Sequence, residues 1–148
     1  MPPRRQNLFL LLAFAALACT DPSAPGSISA HFGLTAVDGQ GLPAVAPPGT
    51  GTVGPTILSG TLSMDQAGGA IIAQDWIESG GSRYTVTSNY VYTIKNSRIE
   101  FADAIPCPIN AICAGPPTGE ILDNGLRVMV VFPFAAPFKV FVFRTLPQ

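Results

Sequence analysis

The chain has 148 residues, 47% of them hydrophobic and only 11% charged, with a formal net charge of -1. No basic cluster occurs anywhere in it, so the electrostatic footprint of a nucleic-acid binder is missing and no nucleic acid is expected as a partner. One histidine and three cysteines form a thin inventory for metal or nucleophilic chemistry.

At the N-terminus Arg4 and Arg5 precede an unbroken apolar run, Leu8 to Ala18, that ends at Cys19. Charge, then an apolar run, then small residues is the layout of a signal peptide. The run holds eleven residues, whereas a helix needs roughly 20 to cross a hydrocarbon core of about 30 Å, so residues 1–18 are expected to be removed. The residues before the cut, Ala16-Leu17-Ala18-Cys19, resemble a lipobox, which implies acylation of the Cys19 sulfur and a lipid anchor in a bacterial membrane, periplasmic or at the outer surface. Ala16-Leu17-Ala18 also fits an ordinary A-x-A cleavage site, and that alternative makes the protein secreted. Cleavage after residue 18 of 148 leaves 130 residues, enough for one domain with its own core. From Thr20 to Ser27 the chain is small, polar and twice interrupted by proline, a composition that behaves as a spacer. Residues 19–27 therefore read as a lipidated cysteine with a flexible tether, and 28–148 as a single domain.

Beyond the tether, short runs of β-branched and aromatic residues alternate with Gly, Asn, Asp and Pro, and no apolar 3.6 period is sustained. Ile28 to Val37 is the first predicted strand, closed by an Asp38-Gly39 turn. Pro43 to Pro55 holds four prolines and three glycines, a density expected to exclude a ladder partner. Thr56 to Met64 and Ala70 to Glu78 follow, joined by a Gly-rich turn. Tyr84 to Ile94 carries Tyr84, Val86, Tyr90, Tyr92 and Ile94 on one parity and Thr85, Thr87, Asn89 and Thr93 on the other, which predicts one buried face and one wet face. Lys95-Asn96-Ser97 turns the chain into Arg98 to Ala102. Gly119 to Leu122 leads through Asp123-Asn124-Gly125, a hairpin signal, into Leu126 to Phe132, and Phe138 to Leu146 is the last strand.

With Cys19 assigned to lipid, Cys107 and Cys113 remain as a pair inside a turn-rich, proline-rich stretch, and an oxidising compartment favours a disulfide between them. Closing so small a loop is worth roughly 2 to 2.5 kcal/mol in the loop-entropy model, so the staple fixes a loop rather than the domain. A metal pair is the rival reading, but His31 is remote in sequence and two cysteines do not complete a zinc site.

About eight strands joined mostly by tight turns predict an all-β fold, a meander that closes into a small up-and-down barrel, with a two-sheet sandwich as the alternative. A membrane-spanning barrel needs nine to eleven residues per strand, and the fifth and sixth strands are too short for it. The phrases Leu34-Thr35-Ala36-Val37-Asp38-Gly39, Gly60-Thr61-Leu62-Ser63-Met64, Tyr92-Thr93-Ile94-Lys95-Asn96, Ile99-Glu100-Phe101, Gly119-Glu120-Ile121 and Phe141-Val142-Phe143-Arg144 resemble the small lipocalin-like domain of uncharacterised bacterial lipoproteins. The resemblance implies a β-barrel and an envelope address. It implies no activity.

No nucleophile-elbow phrase accompanies His31, and the acids are scattered singly. Asp75 and Glu78 have opposite parity on a strand and cannot act as a carboxylate pair. No catalytic residue, metal site or cofactor is therefore expected. Trp76, Tyr84, Tyr90 and Tyr92 are the candidates for lining a ligand pocket, because an eight-stranded barrel is about wide enough either to fill itself or to hold one small ligand. Arg127 and Arg144 lie on late strands beside aromatic residues and are expected to face water. The functional expectation is a non-enzymatic, envelope-anchored binding or interaction module, with a lipocalin-like carrier of a small apolar ligand as the alternative. The expected partners are the membrane, through the lipid anchor, and a small apolar ligand or an envelope protein.

Overall fold

A computed structural model of the chain describes residues 26–47, 54–108, 115–133 and 138–146. The expected signal peptide, Cys19 and Cys113 lie outside the described residues.

Among the described residues ten strands form one antiparallel sheet. They are β1 (Ala30–Val37), β2 (Gln40–Gly41), β3 (Ala44–Val45), β4 (Thr56–Met64), β5 (Gly69–Ile77), β6 (Arg83–Lys95), β7 (Arg98–Asp103), β8 (Thr118–Leu122), β9 (Arg127–Val131) and β10 (Val140–Thr145). Sequential neighbours from β4 to β10 pair as a meander, and β1 pairs with both β10 and β4. That double pairing closes eight strands into a barrel, with β2 and β3 as short additions at its rim. A closed barrel rather than a two-sheet sandwich removes the sheet edges along most of its circumference.

The turns are built from the residues that tolerate them. Asp38 and Gly39 both have positive φ, 46° and 80°, and join β1 to β2 as a two-residue hairpin. The Asp38 carboxylate then accepts from the backbone N–H groups of Lys139 and Val140, the latter at 2.7 Å, so the same turn also pins the start of β10. Asn96 and Ser97, at φ 50° and 64°, make the equivalent turn between β6 and β7.

One expectation is corrected here. The proline- and glycine-rich stretch after Leu42 does have ladder partners. Ala44 and Val45 pair with Ile57 and Thr56, and the Ala46 N–H donates to Pro55 O at 3.0 Å. A two-residue bridge needs only two residues free of proline, and Ala44 and Ala46 are small enough to be wholly buried beneath the rim.

Inside, alternate residues of the eight strands make one apolar core. Phe32, Ile57, Leu62, Ile72, Ile99, Val128, Val130, Phe141 and Phe143 are all shielded from solvent. Two glycines face inward where large neighbours cross. A Cβ at Gly60 would stand 2.9 Å from Ala73 O and 3.1 Å from Leu34 Cδ2, and one at Gly119 would stand 3.1 Å from Phe101 Cε2. The barrel is thus packed through its middle by its own side chains.

The registers set a polarity. The start of β1, the turns at 65–68, 96–97 and 123–126, and Leu146 lie at one end, called lower here. Residues 38–47, 54–55, 78–82, 104–108, 115–117, 132–133 and 138–139 lie at the upper end.

Candidate binding site at the upper mouth

The lower end is sealed by the chain itself. Gly26 bridges to Ile94 on β6, with hydrogen bonds of 2.8 and 3.1 Å, and the chain then crosses beneath the barrel to enter β1 beside β4. Tyr92, from the inner face of β6, reaches this crossing. Its hydroxyl accepts from the Ile28 N–H at 2.8 Å and donates toward the carbonyls of Ile28 and Asp65, both at 2.7 Å. Burial pushes the Tyr92 phenol above its ordinary pKa, against the lowering effect of its bond to the Ile28 backbone. Tyr92 is therefore a latch at the closed end.

Tyr90, one step higher on the same face, packs edge-on against Phe101 with ring centroids 5.7 Å apart. Its phenol is also raised, first by burial, with the Ser88 hydroxyl opposing and the Asp103 carboxylate adding to the effect. Beside it a cleft of about 350 Å³ opens between β6 and the segment after β7, lined by Ser88, Asn89, Tyr90, Asp103, Ile105 and Pro106 among others.

Higher still, β6 runs past the end of β7. Tyr84 and Val86 keep the inward parity, opposite Trp76 and Gln74 of β5, yet they are 40% and 41% exposed. The expectation of a buried face along the whole strand is thus corrected for its first half. The barrel wall stops short of these residues, so an inward side chain there meets solvent. Trp76 stacks on Tyr84, 6.4 Å between centroids and 8° from parallel, and meets Phe138 at 5.9 Å. Gln74 is buried, and its Oε1 accepts from Trp76 Nε1 at 3.3 Å. No described group accepts from its amide N–H.

Of the four residues predicted to line a pocket, the structure brings Trp76 and Tyr84 together, sets Tyr90 at the neighbouring cleft and sends Tyr92 to the opposite end. Sequence reasoning missed Gln74 and Phe138. Gln74 was legible as a polar residue on the inward parity between Ile72 and Trp76, whereas Phe138 comes from just ahead of β10, far along the chain, and carried no local signal.

No family model, curated protein or solved structure matches the chain. What the surface can do is read from its own residues.

His31 stands exposed on the outer face of β1, its Nδ1 3.0 Å from Ser63 Oγ across the β4 pairing, and no described carboxylate bonds to it. Asp75, on the outer face of β5, accepts from Ser59 Oγ at 2.6 Å and Thr85 Oγ1 at 2.7 Å, and these hydroxyls hold its carboxyl below the usual carboxylate range. Glu78 lies in the exposed turn after β5. Arg127 pairs across the sheet with Arg144, two like charges compensated by the Asp123 carboxylate, which bonds Arg127 Nε. Cys107 is exposed at the upper end. Among the described residues no group of three or more His, Cys, Asp or Glu could hold a metal ion, and no helix is long and apolar enough to cross a membrane.

Proposed function

We propose that the protein is an exported, lipid-anchored barrel serving at the cell envelope as a non-enzymatic binding or interaction module, with its working surface at the upper mouth. The observation that carries this reading is the polarity of the chain. Gly26, near the end of the expected Cys19 tether, enters at the sealed lower end, and the half-exposed Tyr84, stacked on the buried Trp76, stands at the other. Six residues between Cys19 and Gly26, at up to about 3.3 Å each, give a reach of about 20 Å above a membrane. Cys107 to Cys113 pairing, as a disulfide, would hold the segment that rims the cleft.

Intact mass of the protein from a membrane fraction tests this. A diacylglycerol-sized increment that Cys19→Ser abolishes, with a shift of about two daltons on reduction, is expected. An unmodified soluble chain would convert the reading to a secreted barrel. Loss of a measurable turnover in a folded His31→Ala protein would replace it with an enzyme.

A second reading, a carrier of a small apolar ligand of the lipocalin-like kind, rests on the exposed inward residues Tyr84 and Val86 beside Trp76 and Phe138. Trp76 is the only tryptophan, so an occupied mouth should change its fluorescence. Repeated preparations without a co-purified ligand in native mass spectrometry would end that reading.

A further inference from the structure

The turn at Asn96 and Ser97 closes on the Lys95 and Arg98 pair, and in a two-residue hairpin the closing pair exchanges both hydrogen bonds. Bonding residues then recur every second position, so the odd residues of β6 point their N–H and C=O groups toward β7. The series continues to Asn89, whose carbonyl accepts from the Ala104 N–H at 3.3 Å. There the neighbour leaves, and Ile105 is 82% exposed. Thr87, Thr85 and Arg83 keep the same orientation with no strand beside them among the described residues, and residues 83 to 87 are exposed without a break.

This is a straight edge. The β5 pairing on its other side shows no register shift, and between Arg83 and Asn89 there is no proline, lysine or bulge of the kind that blunts free edges. Tyr84 and Val86 add two apolar side chains on the inward face, directly above the cleft bordered by Ile105 and Pro106.

We infer that the β6 edge from Arg83 to Thr87 receives an extended segment of another polypeptide as an added strand; this deepens the reading of an anchored interaction module and rests on it. Main-chain bonds to Thr85 and Thr87 supply the pairing. Apolar side chains of the partner lie opposite Tyr84 and Val86, and an acidic one lies opposite Arg83, the single charge on the edge. A second copy of this chain is the weaker occupant. Antiparallel self-pairing about Thr85 would set Tyr84 against Val86, but it turns one barrel upside down, and two chains tethered by their lower ends to one membrane cannot meet that way.

The test is a titration of the processed protein, and of its Cys19→Ser form, with the fluorescent peptide Thr-Val-Thr-Val-Glu. Saturable binding is expected, with shifts at the Thr85 and Thr87 backbone amides. Thr87→Pro, which removes an edge donor, should weaken it about tenfold or more, and a peptide N-methylated on its ladder-facing amides should not bind, a control that needs no altered protein. No binding at millimolar peptide, or equal binding of the methylated peptide, overturns the inference. So does concentration-dependent dimerisation that Thr87→Pro abolishes, which assigns the edge to a second copy. The anchor is read from mass and the edge from binding to both forms, so either can fail alone.

Discussion

Tyr84 and Tyr92 stand eight positions apart on one strand and share its inward face, yet one is open to solvent and the other holds three backbone groups beneath the barrel. Replacing Tyr92 by Phe leaves the Ile28 N–H and two carbonyls without that partner in a partly buried place. A loss of about 1 to 3 kcal/mol is expected, read from the urea midpoint. The pH dependence has a definite sign. The phenol is raised above its ordinary value of 10.0 in the folded state, so its stabilising contribution is intact below that pH. It is lost as pH rises through the higher folded value. Tyr92→Phe should flatten the alkaline fall in stability, leaving the part that belongs to Tyr90. Parity in the sequence identified the face these tyrosines share. Depth along the barrel axis was not legible, because it depends on where β7 stops, and that is set by the residues after Asp103 rather than by β6.

At the scale of the element, β4 shows how much a strand is determined locally. Its boundaries, Thr56 and Met64, follow from the residues alone, but the register shift between Ile57 and Ser59 does not. The shift swaps the parity, so that Ile57 and then Gly60, Leu62 and Met64 face the core. Gly60 is needed there because Leu34 and Ala73 O occupy the space of a side chain. Gly60→Ala is expected to cost about 1 to 3 kcal/mol by overpacking, measured by thermal unfolding. The two rim strands escaped the sequence reading for a related reason. A ladder of two residues leaves no periodicity, and the prolines around it argue the other way.

For the whole molecule, strand number and order were readable from turn chemistry and alternation, and closure followed as the means of removing edges. Which residues would fill the interior was not readable, since filling depends on pairs such as Leu34 opposite Phe143, more than a hundred positions apart. Closure rests on β10, which joins β9 to β1 and brings Phe141 and Phe143 into the core. A chain ending at Pro133 should therefore lose its cooperative unfolding transition, seen by circular dichroism, and not merely shift it. Contacts this distant also make for slow folding. The crossing under the barrel bears on how the molecule answers a pull. Tension applied through the chain ahead of Gly26 first meets its two hydrogen bonds to Ile94. It then runs lengthwise along β1, gripped on one side by β4 and on the other by β10. Loaded in that direction, the bonds of both ladders must slide together, so the crossing can yield and re-form while the barrel above it keeps its shape.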